Sequence, residues 1–109
     1  MDAQTVRHEQ RLDEYAGKLK VLGHPVRLKL LCAIARQDDP CVSELWVCLR
    51  QPQPVVSQHL AVLKEKGIVR SEVQGNRRIY SIVDPFVREL VLAIDCGGDD
   101  FYGKLTPRS

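Results

Sequence analysis

No apolar run in the 109-residue chain approaches the roughly 20 residues that a membrane-spanning helix needs. The N-terminal stretch MDAQTVRHEQRLDEY is polar and lacks the hydrophobic region of a secretion signal. A cytoplasmic protein with no membrane partner is therefore expected. The four cysteines, Cys32, Cys41, Cys48 and Cys96, form no CxxC pair. That spacing argues against a structural zinc ribbon and against the disulfide framework of a small secreted domain. They are read as thiols, and neither a resident metal nor a cofactor is expected. Internal repeats and low-complexity tracts are also lacking, so the length indicates one domain, placed at residues 1–98 with a flexible tail at 99–109. So short a domain buries only about 60 to 70% of the surface its unfolded chain exposes, which favours a second copy supplying further burial.

What the chain does have is an uneven charge. The net value of +2 averages unlike segments: residues 50–80 carry six Lys/Arg against two Asp/Glu, whereas residues 1–49 carry seven of each. A basic segment in a nearly neutral chain is the electrostatic footprint expected for a polyanion partner.

Helical periodicity dominates the pattern. Leu12, Tyr15, Ala16, Leu19 and Leu22 form one apolar stripe on a first helix ending near Gly23. His24-Pro25 restarts the chain, and VRLKLLCAIAR is apolar nearly all round, as a central helix would be, with Cys32 expected inside the core. Asp39 is placed to cap, and Pro40 to open, a short third helix carrying Val42, Leu45, Trp46 and Leu49. Gln51-Pro52-Gln53-Pro54 breaks it. Val56, Leu60 and Leu63 then mark a fourth helix stopped by Gly67. Ile68–Val73 and Arg77–Ile82 flank Gln74-Gly75-Asn76, where the Gly-Asn pair signals a two-residue hairpin. Asp84-Pro85 caps a last helix with Phe86, Val87, Leu90, Val91 and Ile94 on its apolar side, ending at Gly97-Gly98.

The predicted order α1-α2-α3-α4-β1-β2-α5, mainly α with a β-hairpin wing, is that of a winged helix-turn-helix. In that unit the second helix of the pair enters the major groove. Gln53, Ser57, Gln58 and His59 on the fourth helix are the candidates for base edges. Lys64, Arg70, Asn76, Arg77 and Arg78 are the candidates for the phosphate backbone. For each of these the plainer reading is a solvated helix or hairpin face.

Three segments, LGHPVRLKLL, VSELWVCLRQPQPVVSQHLAVLKEKGIV and EVQGNRRIYSI, resemble in order the ArsR/SmtB family of bacterial transcriptional repressors, over roughly residues 12–94. The resemblance implies a homodimer through the first and last helices, a palindromic double-stranded DNA operator, and release when an inducer acts. The stripes that would form the dimer face contain Leu12, Tyr15, Leu19, Leu22, Leu90, Val91 and Ile94. The chain departs from the family pattern at Arg50, where glycine is usual, at Pro52, where a serine cap is usual, and at Val55, where serine or threonine is common.

The inducer class turns on thiols and histidines. Zinc- and nickel-sensing members use a last-helix site, which Asp84 could begin, but Phe86 stands where histidine is needed and no histidine follows His59. The sulfide- and redox-responsive branch carries one cysteine in the second helix and one near the end of the last, positions matched by Cys32 and Cys96. The resemblance thus implies release through a disulfide or polysulfide between them. Elementary electrostatics favours a different thiol. Cys41 begins a helix, whose N-terminus stabilises a thiolate, whereas burial and nearby Asp95, Asp99 and Asp100 oppose ionisation of Cys32 and Cys96. A soft-metal or arsenite sensor using Cys41 is the alternative, so the inducer could be an oxidant, a polysulfide or arsenite. Catalysis is not expected, because Cys48 with His59 lacks an orienting third group. A winged-helix module binding protein or RNA is the remaining alternative, separable by a two-fold symmetric DNA footprint.

Overall fold

The computed structural model describes residues 2–37 and 40–94. Five helices and one hairpin follow in the order α1 (Ala3–Leu22), α2 (Pro25–Arg36), α3 (Val42–Leu49), α4 (Gln53–Glu65), β1 (Val69–Gln74), β2 (Arg77–Ile82) and α5 (Pro85–Ile94). This is the winged helix-turn-helix expected from the pattern. Asp39 as a cap, Cys96, the helix end at Gly97-Gly98 and the tail at 99–109 lie outside the described residues.

Local chemistry sets most of the boundaries. The Asp2 carboxylate accepts from the Thr5 N–H at 2.7 Å, starting α1 well before its apolar stripe begins. His24 caps α2 through Nδ1, which accepts from the Val26 N–H at 3.1 Å. Asp84 caps α5, its Oδ1 accepting from the Val87 N–H at 3.1 Å, while Oδ2 pairs with Lys18 of α1 at 2.8 Å. The hairpin pairs Gln74 with Arg77, so its loop is Gly75-Asn76, with Gly75 at φ +65°. A positive φ at the first loop position is what glycine supplies without steric cost.

The core gathers one face of every element except α1, which contributes Leu22. Leu30, Leu31, Leu45, Val56, Leu60, Leu63, Ile68, Val69, Val87 and Val91 are buried together. Cys32 is half-buried at the core's margin rather than inside it.

Two further expectations need correction. Pro40 does not open α3. It lies in an extended segment whose Cys41 bridges Ile79 and whose Pro40 carbonyl accepts from the Tyr80 N–H at 3.0 Å. The helix starts two residues later, at Val42, with Cys41 in the cap position. A free β2 edge would leave backbone groups unpaired, and pairing with residues 40–41 satisfies them. Leu22 and Val91, assigned to the dimer face, are instead 4% and 0% exposed within the single chain. Their stripes are wide enough for one edge to turn into the chain's own core. Leu12 and Leu19 stay exposed, Tyr15, Leu90 and Ile94 are half-buried, and Leu92 is exposed as well.

Candidate nucleic-acid interface

Helix α4 sorts its residues by period. Val56, Leu60 and Leu63 face the core, which turns Gln53, Ser57, Gln58 and Lys64 outward. The exposed face is polar and short in side chain near its N-terminus, a surface able to hydrogen-bond base edges. At the other end Lys64 reaches the hairpin. Its Nζ donates to Ser71 Oγ at 3.0 Å, and Arg78 Nη1 donates to the same oxygen at 3.2 Å. Two cations therefore converge on one neutral hydroxyl at the junction of recognition helix and wing. Arg70 and Asn76 are exposed, the latter in the hairpin loop.

His59 departs from the expected set. It turns off the exposed face into the contact between α2 and α4. Its ring lies 4.4 Å from that of His24, and its Nδ1 accepts from Arg27 Nε at 3.2 Å. Arg27 also donates to the Val21 carbonyl at 3.3 Å, so the guanidinium ties α4 to the last turn of α1. Burial, and then the charges of His24 and Arg27, lower the His59 pKa, which keeps the ring neutral and able to accept. Gln58, one position earlier, points outward while His59 points in. A helix advances about 100° per residue, and sequence spacing around a half-apolar stripe does not resolve such neighbours.

Arg77 is also differently placed from Arg78. It is ion-paired with Glu44 of α3, although the two residues are 52% and 44% exposed. The same Glu44 Oε1 accepts from Cys41 Sγ at 3.1 Å, and the Ser43 hydroxyl lies 3.1 Å from that sulfur. A thiol has one proton, so with Sγ donating to Glu44 it is Ser43 that donates to sulfur. Ser43 and Arg77 draw the Cys41 pKa below its ordinary value, against the opposing Glu44 carboxylate. The Cys41 hydrogen bond, and then Arg77, hold the Glu44 carboxyl below the usual carboxylate range. Sequence reasoning missed Glu44, Ser43 and Ser71. Cys41 and Arg77 lie far apart in the chain, and only the bridge between residues 40–41 and β2 brings them together.

Cys32 lines a mainly apolar cavity of about 870 Å³ between α2 and the ends of α1, α3 and α5, shared with Cys48 and Ile94. Among the described residues no group of three or more His, Cys, Asp and Glu side chains is arranged to hold a metal ion. No helix among them is long and apolar enough to cross a membrane.

Comparison with known proteins adds four findings. Residues 24–71, which span α2 to the start of β1, match the family described as bacterial regulatory protein, arsR family. The chain is 35% identical over 86 residues to an HTH-type transcriptional regulator of Methanocaldococcus jannaschii, covering 79% of this chain and 97% of the relative. It is 37% identical over 86 residues to the biofilm growth-associated repressor of Xylella fastidiosa, covering 79% and 75%. The crystal structure of the transcriptional repressor BigR from Xylella fastidiosa superposes with a TM-score of 0.78 at 30% identity, covering 96% of this chain and 99% of that one.

Proposed function

Because the chain belongs to the arsR family of bacterial regulatory proteins, and is a DNA-binding transcriptional repressor of that type, we propose that it reads its operator with Gln53, Ser57 and Gln58 and holds the backbone with Lys64, Arg70, Asn76, Arg77 and Arg78. The observation carrying this assignment is the junction at Ser71, where Lys64 of α4 and Arg78 of the wing present two cations beside the exposed polar face of the recognition helix. Cations so placed neutralise phosphates, while the short polar side chains lie where base edges would be. The operator is palindromic and is bound by a homodimer, whose face is formed by Leu12, Leu19 and Leu92 with Tyr15, Leu90 and Ile94. A single chain leaves these side chains wholly or partly uncovered.

The experiment compares duplexes of varied sequence at several salt concentrations. Changing Arg77 and Arg78 together to alanine weakens every duplex about equally and flattens the salt dependence, each lost phosphate contact taking roughly 0.9 from the slope. Changing Gln58 to alanine relaxes preference at one or two positions, by about 1 to 3 kcal/mol, at an unchanged slope. Lost sequence preference with an unchanged slope in the arginine variant would overturn the assignment. A monomer bound to full operator in sedimentation would remove the dimer.

Release is assigned to two-electron oxidation of the Cys32 and Cys96 thiols, either to a disulfide by an oxidant that takes up both electrons and protons or to a bridging polysulfide by an inorganic polysulfide that is reduced to sulfide. In support, Ile94, two residues before Cys96 in sequence, lines the same cavity as Cys32. A second reading, arsenite or soft-metal sensing through Cys41, is favoured by the depressed pKa of that thiol.

A further inference from the structure

We propose that Glu44 is a positioning residue for the wing, a carboxylate that competes with DNA phosphate for the Arg77 guanidinium and so sets how strongly the wing engages any duplex. The inference rests on the reading of the wing as a phosphate contact. It begins from a contrast between adjacent residues. Arg78 and Lys64 are each held by a neutral hydroxyl, that of Ser71, whereas Arg77, next to the hairpin loop, is held by a carboxylate. A phosphate approaching Lys64 or Arg78 displaces one neutral hydrogen bond. A phosphate approaching Arg77 must break an ion pair and come close to a second negative charge.

Glu44 is also fixed in place, unlike an ordinary surface carboxylate. It lies in the first turn of α3, where the helix end favours negative charge. Its Oε1 accepts the Cys41 thiol. Cys41 in turn is 7% exposed and its backbone bridges Ile79 in β2. The carboxylate is thus anchored to the same strand whose first residue it holds, so the pair needs no loop to close. Helix α3 precedes the recognition helix, and this contact joins it to the wing as well. The wing's orientation and its free charge are therefore both tied to the helix-turn-helix body through one side chain.

The test is the variant Glu44→Gln. Glutamine is isosteric, keeps an oxygen for the Cys41 thiol, and replaces an exposed residue, so the fold is retained. Binding to operator and to random duplex should both strengthen, about three- to tenfold at low salt, and the gain should shrink as salt rises. In an Arg77→Ala background the same Glu44 substitution should have no effect on affinity. A Glu44 that merely stabilised α3 would, when replaced, lower the melting temperature without raising affinity. Affinity unchanged or reduced by Glu44→Gln, with Arg77→Ala still weakening binding, would overturn the proposal alone. A gain that persists without Arg77 would also overturn it, in favour of a general charge effect. An Arg77→Ala variant with unaltered affinity and salt slope would instead remove the phosphate-contact reading beneath it.

Discussion

Replacing Arg50 by glycine should stabilise the protein, and the expectation comes from an internal comparison. Helices α3 and α4 end in the same hydrogen-bond pattern. At the end of α4 the Gly67 N–H donates to the Lys64 carbonyl at 3.0 Å and the Ile68 N–H to the Leu63 carbonyl at 2.9 Å. At the end of α3 the Arg50 N–H donates to the Val47 carbonyl at 3.2 Å and the Gln51 N–H to the Trp46 carbonyl at 3.2 Å. Both are Schellman closures, which need a left-handed residue. Gly67 has φ +73° and Arg50 has φ +56°, the one non-glycine with positive φ among the described residues. A side chain in that conformation costs roughly 1 to 2 kcal/mol, because Cβ crowds the following carbonyl oxygen. Glycine returns about 0.5 to 1 kcal/mol of this as extra unfolded-chain entropy. The net gain is about 0.5 to 1 kcal/mol. Urea unfolding at fixed protein concentration should give a higher midpoint at unchanged m-value. The reverse change, Gly67→Ala, should destabilise by a similar amount, since an added Cβ there meets nothing within 4 Å and only the strain remains. Arg50→Gly at or below wild-type stability would show that the arginine side chain contributes more than its backbone costs.

Two further outcomes test the thiols and the last helix. Oxidant should lower operator affinity in the wild type and in Cys41→Ser but not in Cys32→Ser or Cys96→Ser, whereas a response abolished only by Cys41→Ser would move sensing to the start of α3. Asp84 should make folding pH-dependent: desolvation would raise its pKa, but the Lys18 and Val87 hydrogen bonds outweigh it and the folded value lies below the ordinary 3.8. Its contribution is then present above that value and lost as pH falls through the folded pKa. Asp84→Ala should cost about 1 kcal/mol near neutrality as a lost helix cap, and the difference should vanish in acid unfolding curves. A difference independent of pH would refute the assignment.

The helices, the hairpin loop and the exposed face of α4 apart from His59 were legible because each is written in local spacing. Asp84-Pro85 gives a cap, Gly75-Asn76 a turn, and Val56, Leu60 and Leu63 a buried face, all within a few residues. What periodicity does not carry is the identity of the covering surface. Leu22 and Val91 belong to the α1 and α5 stripes expected at the dimer face, yet they close against the chain's own core, leaving Leu12, Leu19 and Leu92 outside. The polar first half of α1 escaped notice for the opposite reason, since an exposed helix with no apolar face has only its Asp2 cap to announce it. The pairing of residues 40–41 with β2 was illegible because it joins distant segments. That pairing also decides which of two adjacent arginines carries a carboxylate.

Two thiol locations connect to the DNA-facing side by different physical routes, which bears on how any inducer could act. Cys41 donates to Glu44 and interacts directly with Arg77, so a change in its charge would act directly on the wing by electrostatics. Such an effect is graded and salt-sensitive, and it alters affinity for every duplex alike. Cys32 lies on α2, the helix that also carries Arg27, and Arg27 grips His59 on the inner side of the recognition helix. A displacement of α2 set off at Cys32 would therefore reach α4 mechanically, through the Arg27–His59 contact, and would reorient the face of α4 proposed to read bases. That route changes geometry, so it would weaken operator recognition while sparing much of the non-specific, charge-driven binding. The ratio of operator to random-duplex affinity, followed as each thiol is modified, separates the two routes. A fall in that ratio belongs to α2 and a parallel fall in both affinities belongs to the wing.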